Sequence, residues 1–167
     1  MNQVQKHRPV IKASTYEIRP ASAEDAQQLI VLMRQLAVFE SYDDDFQVRS
    51  EDLLARGLDD SKPTQFQAFV AELPSTHELC GYAVTTENLF TYNLRPMITL
   101  KELFVAPEHR RKGLADGLFN AVKTYARSRG AVQVRWLVLP DNEAAKQMYA
   151  RNGGKEDQKW ALWHCEV

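Results

Sequence analysis

Apolar positions recur along the chain in two rhythms, and the changes between them mark out the elements. Ala26, Leu29, Ile30, Met33, Leu36 and Ala37 fall three and four residues apart, the stripe of a helix buried along one side. Pro20 and Ser22 announce that helix, with Ser22 as N-cap and Glu24 and Asp25 in the first turn, where the helix dipole favours acids. It is expected to end near Phe39. Tyr16 to Arg19, ahead of it, reads as a short strand, and the polar residues 1–14 as a flexible lead-in. Ser50 caps a second, shorter helix carrying Leu53, Leu54 and Leu58.

Past Pro63 the rhythm changes to strands. Phe66 to Glu72 and Leu79 to Phe90 are joined by a short turn and predict a hairpin, and after the Asn93 to Pro96 turn Ile98 to Val105 makes a third strand of the meander. Pro107 ends it. A helical stripe follows from about Leu114 to Ser128 and stops at Gly130; then Val132 to Leu139 is apolar enough for an internal strand. One helix joins these two strands, so they should lie parallel. Asn142 caps a last helix through about Arg151, ended by Asn152-Gly153-Gly154, and Trp160 to Glu166 reads as a final strand. The order β-α-α-β-β-β-α-β-α-β predicts an α/β fold, a central twisted mixed sheet of about six to seven strands with about four helices.

Composition narrows the function without naming it. With 167 residues, 44% hydrophobic and 26% charged, one domain over 15–167 is expected. The net charge of −1 offers no global field for nucleic acid or an anionic membrane, so neither is expected as a partner. Charge is local instead: residues 40–60 are strongly acidic, whereas residues 108–129 carry six Lys and Arg against Glu108 and Asp116. Cys80 and Cys165 lie far apart outside any CxxC pattern, which suits a reduced, cytoplasmic setting. His7, His77, His109 and His164 have no ligand partner at metal spacing, so no metal site is expected. Trp160 and Trp163 on a last strand with an edge to cover point to a homodimer.

The chemistry concentrates where the third meander strand runs into a helix. Arg110, Arg111 and Lys112 sit at a helix start, where unpaired backbone N–H groups and the dipole already favour an anion; Gly113 and the small Ala115 let a bulky ligand approach the backbone. Taken alone, the hexapeptide is equally a solvated basic loop.

Arg110-Arg111-Lys112-Gly113-Leu114-Ala115 fits the Arg/Gln-x-x-Gly-x-Gly/Ala signature of the GNAT acyltransferases, in which the amides of this turn hold the pyrophosphate of acetyl-CoA. Asn142-Glu143-Ala144-Ala145-Lys146-Gln147-Met148-Tyr149 with Gly153 resembles that family's second signature, Asn-x-x-Ala-x-x-x-Tyr closing on Gly. The chain is most similar to the diamine (spermidine/spermine) acetyltransferase-like branch, through Asn88-Leu89-Phe90-Thr91-Tyr92, Leu100 to Val105 with Pro107, and Trp160. It departs from that branch at Lys101-Glu102, where two consecutive acids are usual.

The resemblance implies transfer of an acetyl group from acetyl-CoA, a cosubstrate, to the primary amine of a polyamine, diamine or amino-acid-like molecule by direct attack. A non-catalytic acyl-CoA sensor and a protein or peptide N-acetyltransferase stay open beside it. Arg110 to Ala115 and Asn142 would bind the cofactor, and a β-bulge at Leu103, Phe104 and Val105 would aim a backbone N–H at the thioester oxygen. Tyr149 would give a proton to the departing sulfur. Glu102 would act as base or water-positioning group, with Glu40, Tyr42, Asp43 and Lys101 around the acceptor. An alkylamine with a pKa near about 10.4 is almost wholly protonated at neutral pH, so such a site must bind an ammonium and take a proton from it. Strand alternation makes Lys101 and Glu102 point oppositely, leaving one of them to face the acceptor.

Overall fold

The computed structural model describes residues 11–13, 16–89 and 91–166. They divide into two compact units, residues 1–137 and 138–167.

The first unit is built on a six-stranded sheet with the strands in chain order: β1 (Ile11–Ala13), β2 (Tyr16–Pro20), β3 (Gln67–Leu73), β4 (Glu78–Asn88), β5 (Met97–Val105) and β6 (Val134–Trp136). Neighbours are antiparallel except β5 and β6, which are parallel and joined through α3 (Leu114–Ser128). The hairpin, the meander and the crossover are those the sequence predicts. Residues 11–13, inside the expected lead-in, pair with β2; the rest of 1–14 lies outside the described residues.

Helices cover both faces of this sheet. Ala68 and Val70 pack in one cluster with Leu29, Leu32, Met33 and Leu36 of α1 (Ala26–Glu40) and Leu53 of α2 (Ser50–Leu53). Phe69, between them, meets Tyr125 of α3 edge to face at 5.9 Å, so α1 and α3 lie on opposite sides. A 3-10 turn, Ala23–Asp25, leads into α1, and the Asp25 carboxylate accepts from the Ser22 N–H at 2.7 Å. Arg19 ties this start to the sheet, donating to both Asp25 oxygens at 2.8 Å and to Glu72 at 2.7 Å, with both carboxylates buried. α2 runs on as a wider turn through Leu58.

Two strands differ from expectation. β6 spans three residues rather than Val132 to Leu139, because its parallel partner offers a ladder only at Ile98, Thr99 and Leu100. In the second unit, Trp160 to Glu166 forms no ladder, and Trp160, Leu162 and Trp163 are exposed. Strand propensity there lacks a partner to pair with. That unit's helix, α4 (Glu143–Arg151), starts as read: Asn142 accepts from the Ala145 N–H at 3.1 Å, and the helix closes with the Gly154 N–H on the Tyr149 carbonyl at 2.8 Å.

Candidate functional site

The site begins at an irregularity in β5. Glu102 pairs with Val84 and Leu100 with Thr85, so Lys101 is an extra residue with no opposite number on β4. One added residue shifts the side-chain phase. Leu100 shares Thr85's face, whereas Glu102 and Phe104 share the face of Val84 and Tyr82, the α1 side of the sheet. Lys101 follows Leu100 and therefore points away from it, onto that same α1 side. The expectation that Lys101 and Glu102 point oppositely is corrected by the bulge: both face α1. The bulge also stands upstream of the expected Leu103 to Val105, which pair in regular register with Ala83, Tyr82 and Gly81. Parallel pairing to β6 stops at Leu100, so on that edge the peptide groups beyond the bulge are past the end of the ladder.

Glu102 is half-buried, and Tyr82, fully buried, donates to its Oε2 at 2.7 Å. Burial raises the Glu102 carboxyl above its usual value; the Tyr82 hydrogen bond opposes this, the charge of Glu40 adds to it, and the Lys101 ammonium opposes it. The shift upward shows that desolvation and the second carboxylate outweigh the two favourable partners. Tyr82 is itself raised, by burial and then by Glu102. Tyr42 is pushed up to about 12 by burial and then by Glu102 and Glu40, and burial raises Glu40. Glu40 ends α1, and Ser41 then adopts a left-handed conformation (φ 61°) with the Tyr42 N–H bonded back to the Ala37 carbonyl at 2.9 Å. That reversal aims Tyr42 at the sheet. The result is a partly dry cluster of two carboxylates and two neutral phenols, an environment for a cation. Asp43 stays exposed on the following loop, outside the groups whose charge acts on Glu102.

Beyond Val105 the chain turns through Pro107–His109 into α3. Arg111 (φ 59°) and Gly113 (φ 81°) both take left-handed conformations, which curls the backbone around the start of α3, with Leu114 buried and Ala115 behind it in the first turn. A Cβ added at Gly113 would meet nothing within 4 Å, so the space before the turn is open. An αL pair ahead of a helix N-terminus fits an anion such as pyrophosphate. Arg110 and Lys112 hold the turn in place. Arg110 donates to the Val105 carbonyl at 2.9 Å and lies 5.6 and 5.7 Å from the rings of Phe39 and Phe104; Lys112 donates to the Tyr16 hydroxyl at 3.2 Å and the Glu108 carbonyl at 3.1 Å. Arg111 is exposed.

Sequence spacing missed two gatherings. Tyr82 is concealed in an apolar strand, LCGYAV, where an aromatic reads as core; its only signal is the strand alternation that places it two pairs from Glu102 on the same face. His109, expected to have no ligand partner at metal spacing, gathers with Glu78 and Glu108, one donor atom of each lying within 4.8 Å of the others, with His109 Nδ1 also 3.2 Å from the Tyr16 hydroxyl. Tyr149 and Asn142 stand on and before α4 in the second unit, where Asn142 serves as the N-cap.

Comparison with known proteins gives this geometry a setting. The model of the acetyltransferase (GNAT) family matches residues 33–154. A thialysine N-epsilon-acetyltransferase of Bos taurus is 28% identical over 154 residues, covering 89% of each chain. Its counterpart from Caenorhabditis elegans is 29% identical over 134 residues, 80% of this chain and 79% of that one. A crystal structure described as a probable acetyltransferase superposes with a TM-score of 0.75 at 25% identity, covering 90% of this chain and 97% of the other. The match spans α1 through α4, and the chain belongs to the acetyltransferase (GNAT) family.

Proposed function

We propose that the protein transfers the acetyl group of acetyl-CoA to the primary amine of a small polyamine, diamine or amino-acid-like molecule by direct attack within a ternary complex. The observation that carries this is Glu102, half-buried on the α1 face under Tyr82 and beside Glu40 and Tyr42, at the point where β5 leaves its ladder with β6. An incoming ammonium exchanges water for carboxylates there. Glu102, raised toward neutrality, takes the proton that makes the nitrogen a nucleophile, as a base with a pKa nearer the working pH does best.

Arg111 to Ala115 supply the backbone curl for the pyrophosphate, with Arg110 and Lys112 bracing it. Peptide groups of Leu103 to Val105 are offered to the thioester arm and its oxygen, while Asn142 and Tyr149 act on the pantetheine end, Tyr149 giving a proton to the departing sulfur. A phenol and a thiol both titrate on the alkaline side, so that transfer is nearly balanced. The relatives named for thialysine, an amine-bearing amino acid, support a small acceptor. The same proposal takes the protein as cytoplasmic, with Cys80 and Cys165 as free thiols, acting without nucleic acid, membrane or metal. A second copy would cover the exposed Trp160, Leu162 and Trp163 in a homodimer. Among the described residues no helix is long and apolar enough to cross a membrane.

The test is release of free CoA thiol from acetyl-CoA across a panel of amines, with Tyr149→Phe beside the parent. Turnover by the parent, slowed at least about tenfold in the variant at unchanged acetyl-CoA affinity, is expected. Acetyl-CoA binding with no thiol released by any amine would refute the transfer.

A further inference from the structure

Tyr82 is fully buried in the α1-side core with Leu79, Val70 and Phe104, and its ring lies 6.3 Å from that of Phe104. A Phe would fill that place equally well, so the hydroxyl is the part that packing does not account for, and burying it is unfavourable unless it finds a partner. The partner is Glu102. Phe104 stands directly across from Tyr82, and Glu102, two residues earlier on β5, is its diagonal neighbour on the same face, where the bulge has put it. The hydroxyl donates to Oε2 at 2.7 Å, and among the described residues the Glu102 carboxylate accepts no other hydrogen bond.

We infer that Tyr82 is a positioning residue for the proton transfer: by donating to Oε2 it fixes the orientation of the Glu102 carboxylate and leaves Oε1 as the oxygen that takes the proton from the acceptor ammonium. This rests on the transfer reaction proposed above and adds how its base is held. In the step, one N–H bond of the ammonium breaks, its electron pair stays on nitrogen, and an O–H bond forms at Oε1. Tyr82 keeps its own proton throughout, because burial and then Glu102 raise its phenol. A carboxylate free to rotate would offer either oxygen and, once neutral, could turn its proton into the core; with Oε2 already accepting from Tyr82, the proton stays at Oε1. The same bond works against the other groups around the carboxylate. Burial and Glu40 at the end of α1 raise Glu102, the Lys101 ammonium lowers it, and Tyr42 on the following loop is neutral; of the influences that keep Glu102 ionised, the Tyr82 bond is the largest.

The experiment is the pH profile of kcat/KM for Tyr82→Phe beside the parent, in the full chain, read by thiol release from acetyl-CoA with the best amine of the panel. Losing a hydrogen bond to a charged group should raise Glu102 further, so the acid limb moves to higher pH by about one unit, which on the limb is about a tenfold loss of kcat/KM. A packing role would lower the profile at every pH and leave the limb in place. In a Glu102→Gln background, Tyr82→Phe should change kcat/KM by less than about twofold, since the residue acts through the one already replaced. A fluorinated tyrosine at 82 keeps the ring and its bond, donates more strongly and should move the limb to lower pH, which keeps the test decisive if Tyr82→Phe does not fold. A limb that stays where the parent has it, or equal losses from Tyr82→Phe with and without Glu102, overturns the inference and leaves the transfer reaction standing. A parent that releases no thiol with any amine overturns both.

Discussion

Glu102→Gln separates the chemistry of Glu102 from its packing. Gln keeps the shape and an oxygen that can accept from Tyr82, now 2.7 Å away, but it removes the charge and the proton acceptor. For an acceptor amine of pKa about 10.4, the free-base fraction at pH 7.4 is about one in a thousand, so a variant limited to amine that is already deprotonated should lose about a thousandfold in kcat/KM. That lies inside the range of about a hundred- to ten-thousandfold ascribed to a positioned general base. The shape of the pH profile is sharper than the loss. The parent should hold a plateau from above the raised Glu102 value up to the amine's own pKa, falling in acid as Glu102 is protonated, whereas the variant should climb tenfold per pH unit across the whole plateau.

Stability should move the opposite way. A carboxyl raised in the folded state binds more protons there than in the unfolded chain, so its contribution falls as pH rises from about 4.5 through the folded value. At pH 7 the parent carries a disfavoured charge, and Glu102→Gln should melt higher; below the unfolded value both are neutral and the difference should close. Steady-state kinetics from pH 5 to 10 and thermal melts at pH 4 and 7 measure both effects. A variant within threefold of the parent with the same profile would show that Glu102 takes no proton, and one less stable at pH 7 would show that the Tyr82 bond outweighs burial.

Arg19→Met should cost about 3–5 kcal/mol at pH 7 by leaving Asp25 and Glu72 buried without their cation, lowering the melting temperature by about 10 °C. Burial pulls both carboxyls upward, yet each lies below its usual value, Asp25 chiefly through Arg19 and Glu72 through the His77 hydrogen bond and then Arg19, so the Arg19 pairing is complete above the unfolded values and is lost as pH falls through the folded ones; the gap between variant and parent should narrow in acid, and a gap below about 1 kcal/mol at pH 7 would sink the argument. Gly113→Val puts a β-branched residue at φ 81° without a clash in the free protein, so a strain of about 1–3 kcal/mol should accompany at least a tenfold loss of acetyl-CoA affinity by calorimetry; unchanged affinity would remove the turn from the cofactor site.

What the sequence revealed and what it concealed divide along a physical line. Ser22, Asn142 and Gly130 act on the backbone within a few residues of themselves, so the helix boundaries they set could be read from local chemistry, and α3 runs from Leu114 to Ser128 as its stripe predicts. The curl at Arg111 and Gly113 before α3 was legible for the same reason, its residues being consecutive. β6 and the segment 160–166 were overread because a strand exists only through its ladder, which no stretch of apolar residues supplies by itself. Tyr82, Glu40 and Tyr42 meet Glu102 from two other elements, and that convergence depends on a register and a chain reversal at Ser41 that composition does not encode.

The bulge at Lys101 is the decisive case. A one-residue excess on β5 is invisible in the pattern of β5 alone, since it is defined by what β4 fails to place opposite. Yet it changes the chemistry: a regular strand would force a choice between a cationic and an anionic acceptor side, while the bulged strand presents both charges at once. Glu102 is thereby brought against Tyr82 on the α1 face, where burial raises it, and Lys101 is left beside it in water. In a regular strand Glu102 would share the face of Leu100 and lose its place among Tyr82, Tyr42 and Glu40. A deletion of Lys101 would set Glu102 directly after Leu100 and still opposite Val84, on the α1 face it already occupies, so it should lower turnover no more than Lys101→Gln does: both remove the outer charge and keep Glu102 beside Tyr82. A deletion variant that melts cooperatively yet loses far more kcat/KM than Lys101→Gln would show that the face Glu102 occupies is not what its place in the site depends on.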